Sequence, residues 1–281
     1  MISTTNSTRV QAPNISLKDA VPNDATPLNP SGSDAVDDSS VGRRSLKKTK
    51  IKKINKKISK PLLIASYNVR SLTEDWKQWE LVCKAKAFDI PVIALQEHRI
   101  KNTATIMRNG YKFLLAPPKS KALLGLGFLL SPWAQSCYIE HNICSDRIMS
   151  VSFTGDVCTH VVTCHSPTNV STDIEIENFY NELSTYVQSF PPHDLVMIAG
   201  DLNAHLGKDK CNVNAFYATT NRNGQLLLDF AQENAFTIGA LKFNKKPSKK
   251  VTWTSPNGQL HQNDHILIPH PFKVAKLFKE L

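Results

Sequence analysis

The chain has 281 residues, 41% of them hydrophobic, and carries 34 Lys and Arg against 24 Asp and Glu for a formal net charge of +10. This length allows one large or two ordinary domains with a sizeable core, and no apolar run approaches the length of a helical bilayer span. The six cysteines form no C-x-x-C pair and show no zinc-type clustering; several sit in apolar strand-like or helical patterns, so a reduced, intracellular compartment fits better than a disulfide framework.

Met1 to Asp38 mixes Ser, Thr, Asn, Pro and Asp with scattered apolar residues and has no signal-peptide apolar core. Such a segment buries too little surface to offset its ordering entropy, so residues 1–60 are read as a disordered tail and residues 61–281 as the folded domain. From Arg43 to Lys60 stand ten bases and no acid: Arg43, Arg44, Lys47, Lys48, Lys50, Lys52, Lys53, Lys56, Lys57 and Lys60. Without them 24 basic residues face 24 acidic ones, so the whole net charge lies in this tether. It suits nucleic-acid phosphates, through counterion release, or a nuclear-import signal; a solvated linker is the plain alternative. Ile51, Ile54 and Ile58 share one helical face, which leaves a basic membrane-surface helix as a third reading.

Leu62 to Tyr67 reads as a strand ending in Asn68. Ser71-x-x-Glu74 reads as a capping box opening a helix with Trp76, Trp79, Cys83 and Ala87 on its packed side. Val92 to Leu95 is a second strand, ending in Gln96-Glu97-His98-Arg99. Strands follow at residues 112–115, 127–130, 148–153 and 159–164. Gly125-x-Gly127 leads into strand-like Phe128-Leu129-Leu130 and so is not a nucleotide-binding fingerprint. Thr172-x-x-Glu175 caps a helix with Ile176, Phe179, Tyr180, Leu183 and Val187 at helical spacing.

The apolar run Met197 to Ala199 then ends abruptly in Gly200-Asp201-Leu202-Asn203. Residues two apart on an extended chain face one side, so Asp201 and Asn203 are expected to point together; as plain turn residues they would need no such role. A helix follows from about Gly224 to Asn234, with Leu226, Leu227, Phe230 and Ala231 inward. Thr252-Trp253-Thr254 precedes a turn at Pro256-Asn257-Gly258, and Asn263-Asp264-His265 enters the apolar Ile266-Leu267-Ile268. Alternating strands and helices make this an α/β domain.

Four strand-like segments thus carry an amide or carboxylate at an end: Asn68, Glu97, Asp201 with Asn203, and Asp264. Carboxylates converging at strand edges suit a hard cation such as Mg2+. With Tyr67-Asn68-Val69-Arg70, Leu95-Gln96-Glu97-His98, Ser166-Pro167-Thr168-Asn169, Gly200-Asp201-Leu202-Asn203, Asn221-Arg222-Asn223-Gly224 and Thr252-Trp253-Thr254-Ser255-Pro256 in this order, the chain resembles the endonuclease/exonuclease/phosphatase superfamily. More narrowly, it is similar to the endonuclease domain of LINE-type (non-LTR) retrotransposons and to craniofacial-development-protein-2-like sequences.

The resemblance implies a four-layer α/β sandwich, two facing mixed β-sheets flanked by helices, with the site at one open end. It implies that Glu97 binds the metal, Mg2+ or Mn2+, with Asn68 beside it. Asp201 would position or deprotonate the attacking water, Asn203 would hold that water or a phosphate oxygen, and Asp264 would orient a catalytic histidine. His165 stands where the family has Tyr and can donate to phosphate in its place. Asn169, Arg222 and Asn223 fall at the substrate, although Arg222-Asn223 also suits a turn and helix cap. The family's closing Ser-Asp-His strand is expected beyond Leu281, so the fold is expected to lack its last strand and the site to be incomplete. The implied activity is metal-dependent DNA nicking of AP-endonuclease type, weak or lost, by a nuclear monomer; a reverse transcriptase region is lost or encoded downstream. A non-catalytic nucleic-acid-binding relic and a phosphodiesterase on small phosphoesters are the alternatives.

Overall fold

Continuous apolar runs build two sheets whose central strands are buried on both faces, while the edge segment from Ile139 to Ile143 stays exposed. A computed structural model describes residues 62–102, 104–118 and 125–270; the tail and the tether from Arg43 to Lys60 lie outside the described residues. The elements in chain order are β1 (Ile64–Asn68), α1 (Asp75–Ala87), β2 (Val92–Gln96), β3 (Ala104–Arg108), β4 (Tyr111–Ala116), β5 (Leu126–Leu130), α2 (Pro132–Cys137), β6 (Tyr138–Ile143) and β7 (Ile148–Phe153). They continue with β8 (Thr159–His165), α3 (Asp173–Gln188), β9 (Leu195–Asp201), α4 (Arg222–Glu233), β10 (Phe236–Ile238), α5 (Gly239–Lys242), β11 (Trp253–Thr254), β12 (Leu260–His261) and β13 (Asp264–Pro269).

One sheet has the order β1-β2-β5-β4-β3 and the other β10-β13-β9-β8-β7-β6, while β11 and β12 form a separate hairpin. Among the described strands of the two large sheets, β1-β2 and β8-β9 pair in parallel and the rest antiparallel, so both sheets are mixed.

On β2, Val92 and Ala94 face the opposite sheet, whereas Ile93 and Leu95 face α1. On β9, Met197 and Ala199 point between the sheets and Ile198 points toward α3 and α4. Three apolar layers result: α1 on the first sheet, sheet on sheet, and the second sheet on α3 and α4. This is the four-layer α/β sandwich expected from the sequence, with both large sheets mixed.

Two helical expectations fare differently. Thr172 and Glu175 form a reciprocal capping box on α3, and Ile176, Phe179, Tyr180, Leu183 and Val187 are buried as expected. The buried stripe of α1 is instead Gln78, Leu81, Val82 and Ala85, while Trp76 and Trp79 are 61% and 46% exposed. Gln78 tolerates burial because its Nε2 donates to the Leu72 carbonyl at 2.8 Å, and this rotates the helix away from the stripe its tryptophans suggest. Nor does Ser71 cap α1: its hydroxyl pairs with Thr73 Oγ1 at 2.8 Å, and Glu74 is the N-cap residue, its side chain making no capping bond to the helix backbone.

Among the described residues, polar side chains gather in the inter-sheet layer toward the ends of β1, β2, β8 and β9 and at the start of β13. Gln96 is fully buried there, its Nε2 donating to Thr163 Oγ1 of the facing sheet at 2.9 Å. Just before the end of β9, the backbones of β8 and β9 leave no room for a side chain at Gly200. A methyl there would lie 2.3 Å from the Cys164 carbonyl oxygen. Gly200→Ala is expected to lower stability by about 1–3 kcal/mol, read as a reduced urea midpoint with an unchanged slope. An unchanged midpoint would contradict this packing.

Candidate active site

Three strand ends of the six-stranded sheet set side chains in one row. Asp201 of β9 lies in register with His165 of β8 on one side and with Asp264 of β13 on the other. The alternation that sends Met197 and Ala199 between the sheets sends Asp201 the same way. Across the layer, β1 and β2 end at the paired Asn68 and Gln96, and Glu97 follows directly.

The Asn68 amide joins the two halves. Its Nδ2 donates to Glu97 Oε1 at 2.7 Å and to Asp201 Oδ2 at 3.0 Å. Two carboxylates from different sheets are thereby held on one donor, which offsets part of their repulsion. Glu97 sits in left-handed backbone at φ 60° with its N–H on the Gly125 carbonyl at 2.9 Å, a conformation costing roughly 1–3 kcal/mol for a non-glycine residue.

The next residue, His98, is buried beneath this turn. Its Nε2–H is shared between the Ala116 and Leu126 carbonyls at 2.8 and 3.0 Å, and its Nδ1 accepts the Ile100 N–H at 3.0 Å. Burial pushes its pKa down. Gly125 is required here: a methyl would lie 2.5 Å from His98 Nε2, at a backbone φ of +83°.

His165 Nε2 lies 3.9 Å from Glu97 Oε1, and one ligand atom each of Glu97, His165 and Asp201 fall within 4.8 Å of one another. Arg99, half exposed and unassigned in the sequence reading, brings NH2 to 3.5 Å from Glu97 Oε2. Asp264 is buried, with its backbone N–H on Thr252 Oγ1 at 3.2 Å. Burial first, and then the neighbouring Asp201 carboxylate, hold it well above the usual carboxylate range.

Asn203 reaches the cluster differently from the expectation of a shared strand face. The strand ends at Asp201, and Asn203 turns into left-handed backbone at φ 48°. Its backbone N–H donates to Asp201 Oδ1 at 3.2 Å, and its side-chain amide donates to the Ser166 carbonyl at 3.0 Å. Asn223 is fully buried with its amide on the Pro167 carbonyl at 2.9 Å. Arg222 pairs with Asp173 and donates to the Asn169 and Ser171 carbonyls. Arg222 and Asn223 therefore hold the loop after His165, and Asn169 is exposed on that loop. His205 stacks on Tyr217 with centroids 3.9 Å apart; burial, then the nearby His261, lowers its pKa.

The fold is of the endonuclease/exonuclease/phosphatase type. It superposes on the endonuclease domain of TRAS1, a telomere-specific non-LTR retrotransposon, with a TM-score of 0.54 at 12% identity, covering 74% of this chain and 84% of that one. In sequence the chain is similar to craniofacial development protein 2 of Tragulus javanicus and of Bos taurus, at 24% and 23% identity over 209 residues, or 73% of this chain. It spans 36% and 35% of the length of those relatives. No family model matches the chain.

Beside the row, His265 faces the other side of β13 and donates Nε2–H to the Ala204 carbonyl at 2.9 Å. Its buried Nδ1 has no hydrogen-bond partner among the described residues, so protonation would bury an unpaired N–H. Burial accordingly lowers its pKa from 6.5 to about 4. The unfolded chain then binds the proton more readily, so the stability contributed above the unfolded value is lost as pH falls from 6.5 through about 4. The full loss is about 3 kcal/mol. His265→Gln should flatten the fall in urea-unfolding free energy between pH 7 and pH 4.5; an equal fall in both proteins would contradict the assignment.

Proposed function

We propose that this chain hydrolyses phosphodiester bonds of DNA with a divalent cation, nicking one strand. The observation that carries the reading is the Asn68 bridge, which holds Glu97 and Asp201 from separate sheets at the strand ends. That the fold neighbour from TRAS1 is an endonuclease domain supports the same direction.

The donor set fits a hard cation. Glu97 and Asp201 offer carboxylate oxygens within one small sphere, and buried Asp264 adds a third acid whose desolvation a cation would offset. Mg2+ is the best match to such oxygens, and Mn2+ also tolerates the imidazole of His165. When bound, the cation draws charge off the phosphoryl oxygens and favours the attacking oxygen.

The protein groups do the positioning. Each Asp201 oxygen receives one hydrogen bond, from Asn68 to Oδ2 and from the Asn203 backbone to Oδ1. This fixes the carboxylate while leaving lone pairs to align a water and take its proton. His165 beside Glu97 can donate to a phosphate oxygen, and Arg99 adds positive charge at the rim. The basic tether from Arg43 to Lys60 supplies salt-dependent affinity for the DNA backbone.

The test is supercoiled-plasmid nicking by the full chain in Mg2+ and in Mn2+. Glu97→Ala and Asp201→Asn should each lower the rate by roughly 100-fold or more. Salt-sensitive DNA binding by a folded chain without nicking would replace this reading with nucleic-acid binding alone. Phosphate release from small esters with indifference to DNA would replace it with a small-substrate phosphodiesterase.

A further inference from the structure

A second group of ligand-type side chains lies at the opposite end of β8 and β9. Cys158 immediately precedes β8, His160 is its second residue, and Asp194 immediately precedes β9; the Leu195 N–H donates to the Cys158 carbonyl at 2.9 Å. One ligand atom from each of the three side chains lies within 4.8 Å of the others. His160 Nε2 is 3.0 Å from Asp194 Oδ2 and 3.7 Å from Cys158 Sγ. Tetrahedral Zn2+ bonds of about 2.0–2.3 Å place neighbouring ligand atoms roughly 3.3–3.6 Å apart, so small adjustments bring this trio onto such a site.

The surroundings prepare the imidazole. Ser152 Oγ lies 2.8 Å from His160 Nδ1, and Phe190 stacks on the ring with centroids 4.2 Å apart. The His160 and Asp194 side chains are each only 9% exposed. Both Cys158 Sγ and Asp194 Oδ2 approach the same ring nitrogen, with Ser152 on the other one, so this is not a Cys-His-Asp relay in which the acid holds the far nitrogen. A serine hydroxyl either donates or accepts. It can therefore receive Nδ1–H and free the Nε2 lone pair, the supporting contact that metal-bound histidines require.

We infer that Cys158, His160 and Asp194 form a Zn2+ site, separate from the acidic site at the other ends of the same strands. One thiol, one imidazole and one carboxylate suit Zn2+ and not Mg2+. The fourth position is open to water, with the 82% exposed His193 nearby, its Nε2 3.6 Å from Asp194 Oδ1. On binding, the thiol proton leaves to solvent and the imidazole proton passes from Nε2 to Nδ1, so one proton is released per ion. Because the thiol must lose its proton to bind, affinity rises with pH. Along the strand, His160 and His165 are separated by about 16 Å. The ion would tie the loop after α3 to the start of β8. The spacing conceals the site: Cys158-x-His160 is a sparse pair, and Asp194 comes 34 residues after His160.

The experiment titrates the reduced full chain with Co2+ and then Zn2+, with Zn2+ affinity measured by chelator competition. The expected result is one Co2+ with a thiolate-to-metal charge-transfer band, displaced by Zn2+ and not by excess Mg2+, while any Co2+ taken up by the acidic site carries no such band. Cys158→Ser should abolish the band and weaken Zn2+ binding at least tenfold, whereas Glu97→Gln and Cys211→Ser should leave both unchanged. Asp194→Asn provides a second variant, also expected to weaken Zn2+ at least tenfold if Cys158→Ser fails to fold. Absence of the band in the folded parent, or unchanged Zn2+ affinity in a folded Cys158→Ser or Asp194→Asn protein, would overturn the inference.

Discussion

The Asn68 amide accepts a task that no apolar contact in the sandwich can perform: it keeps two carboxylates from opposite sheets within hydrogen-bond reach of one donor. Glu97 and Asp201 repel each other, and that repulsion grows as water is excluded. Without a donor between them, the polar end of the inter-sheet layer would be pushed open. The apolar layer beneath, from Val92 and Ala94 to Met197 and Ala199, fixes the sheet spacing at which one short amide can span the gap. Packing and site chemistry are therefore one constraint. The core sets the distance, and Asn68 uses it.

The same end of the molecule concentrates unfavourable features. Glu97 and Asn203 are both left-handed, Asp264 is buried beside another acid, and His265 is buried without a partner on Nδ1 among the described residues. Asp264 and His265 also drive opposite pH dependences. A raised carboxylate pKa favours the fold at low pH, with that stability lost as pH rises through the folded value, whereas a lowered imidazole pKa favours the fold at higher pH. Such tension is tolerated where the surrounding sheets over-determine the backbone, and a cation held by Glu97 and Asp201 would relieve its acidic part.

Much of this was legible in the sequence because strand tips announce themselves. An apolar run stopped by Asn68, by Gln96-Glu97, by Gly200-Asp201 or started by Asp264 needs only the end of a buried strand to explain it, and register then gathers these ends. The α3 capping box was legible for the same local reason. What escaped depended on distant partners. The α1 stripe is hidden from the sequence because Gln78, polar by type, is buried on the Leu72 carbonyl, leaving two tryptophans in solvent. Alternation puts Asn203 on the face of Asp201, but the strand ends at Asp201 and Asn203 is left-handed. The Gln96–Thr163 bond and the Cys158, His160 and Asp194 group join residues far apart in sequence, which no local pattern encodes.

The most direct measurement is nuclear magnetic resonance of the isotope-labelled full chain with substoichiometric Mn2+. The account predicts that paramagnetic broadening falls first on the Asn68 side-chain amide and the backbone signals of Glu97 and Asp201, and that excess Mg2+ restores them. Sharp signals at Asn68, Glu97 and Asp201 while other parts of the chain broaden, or no broadening anywhere in the folded protein, would contradict a cation site built on the Asn68 bridge.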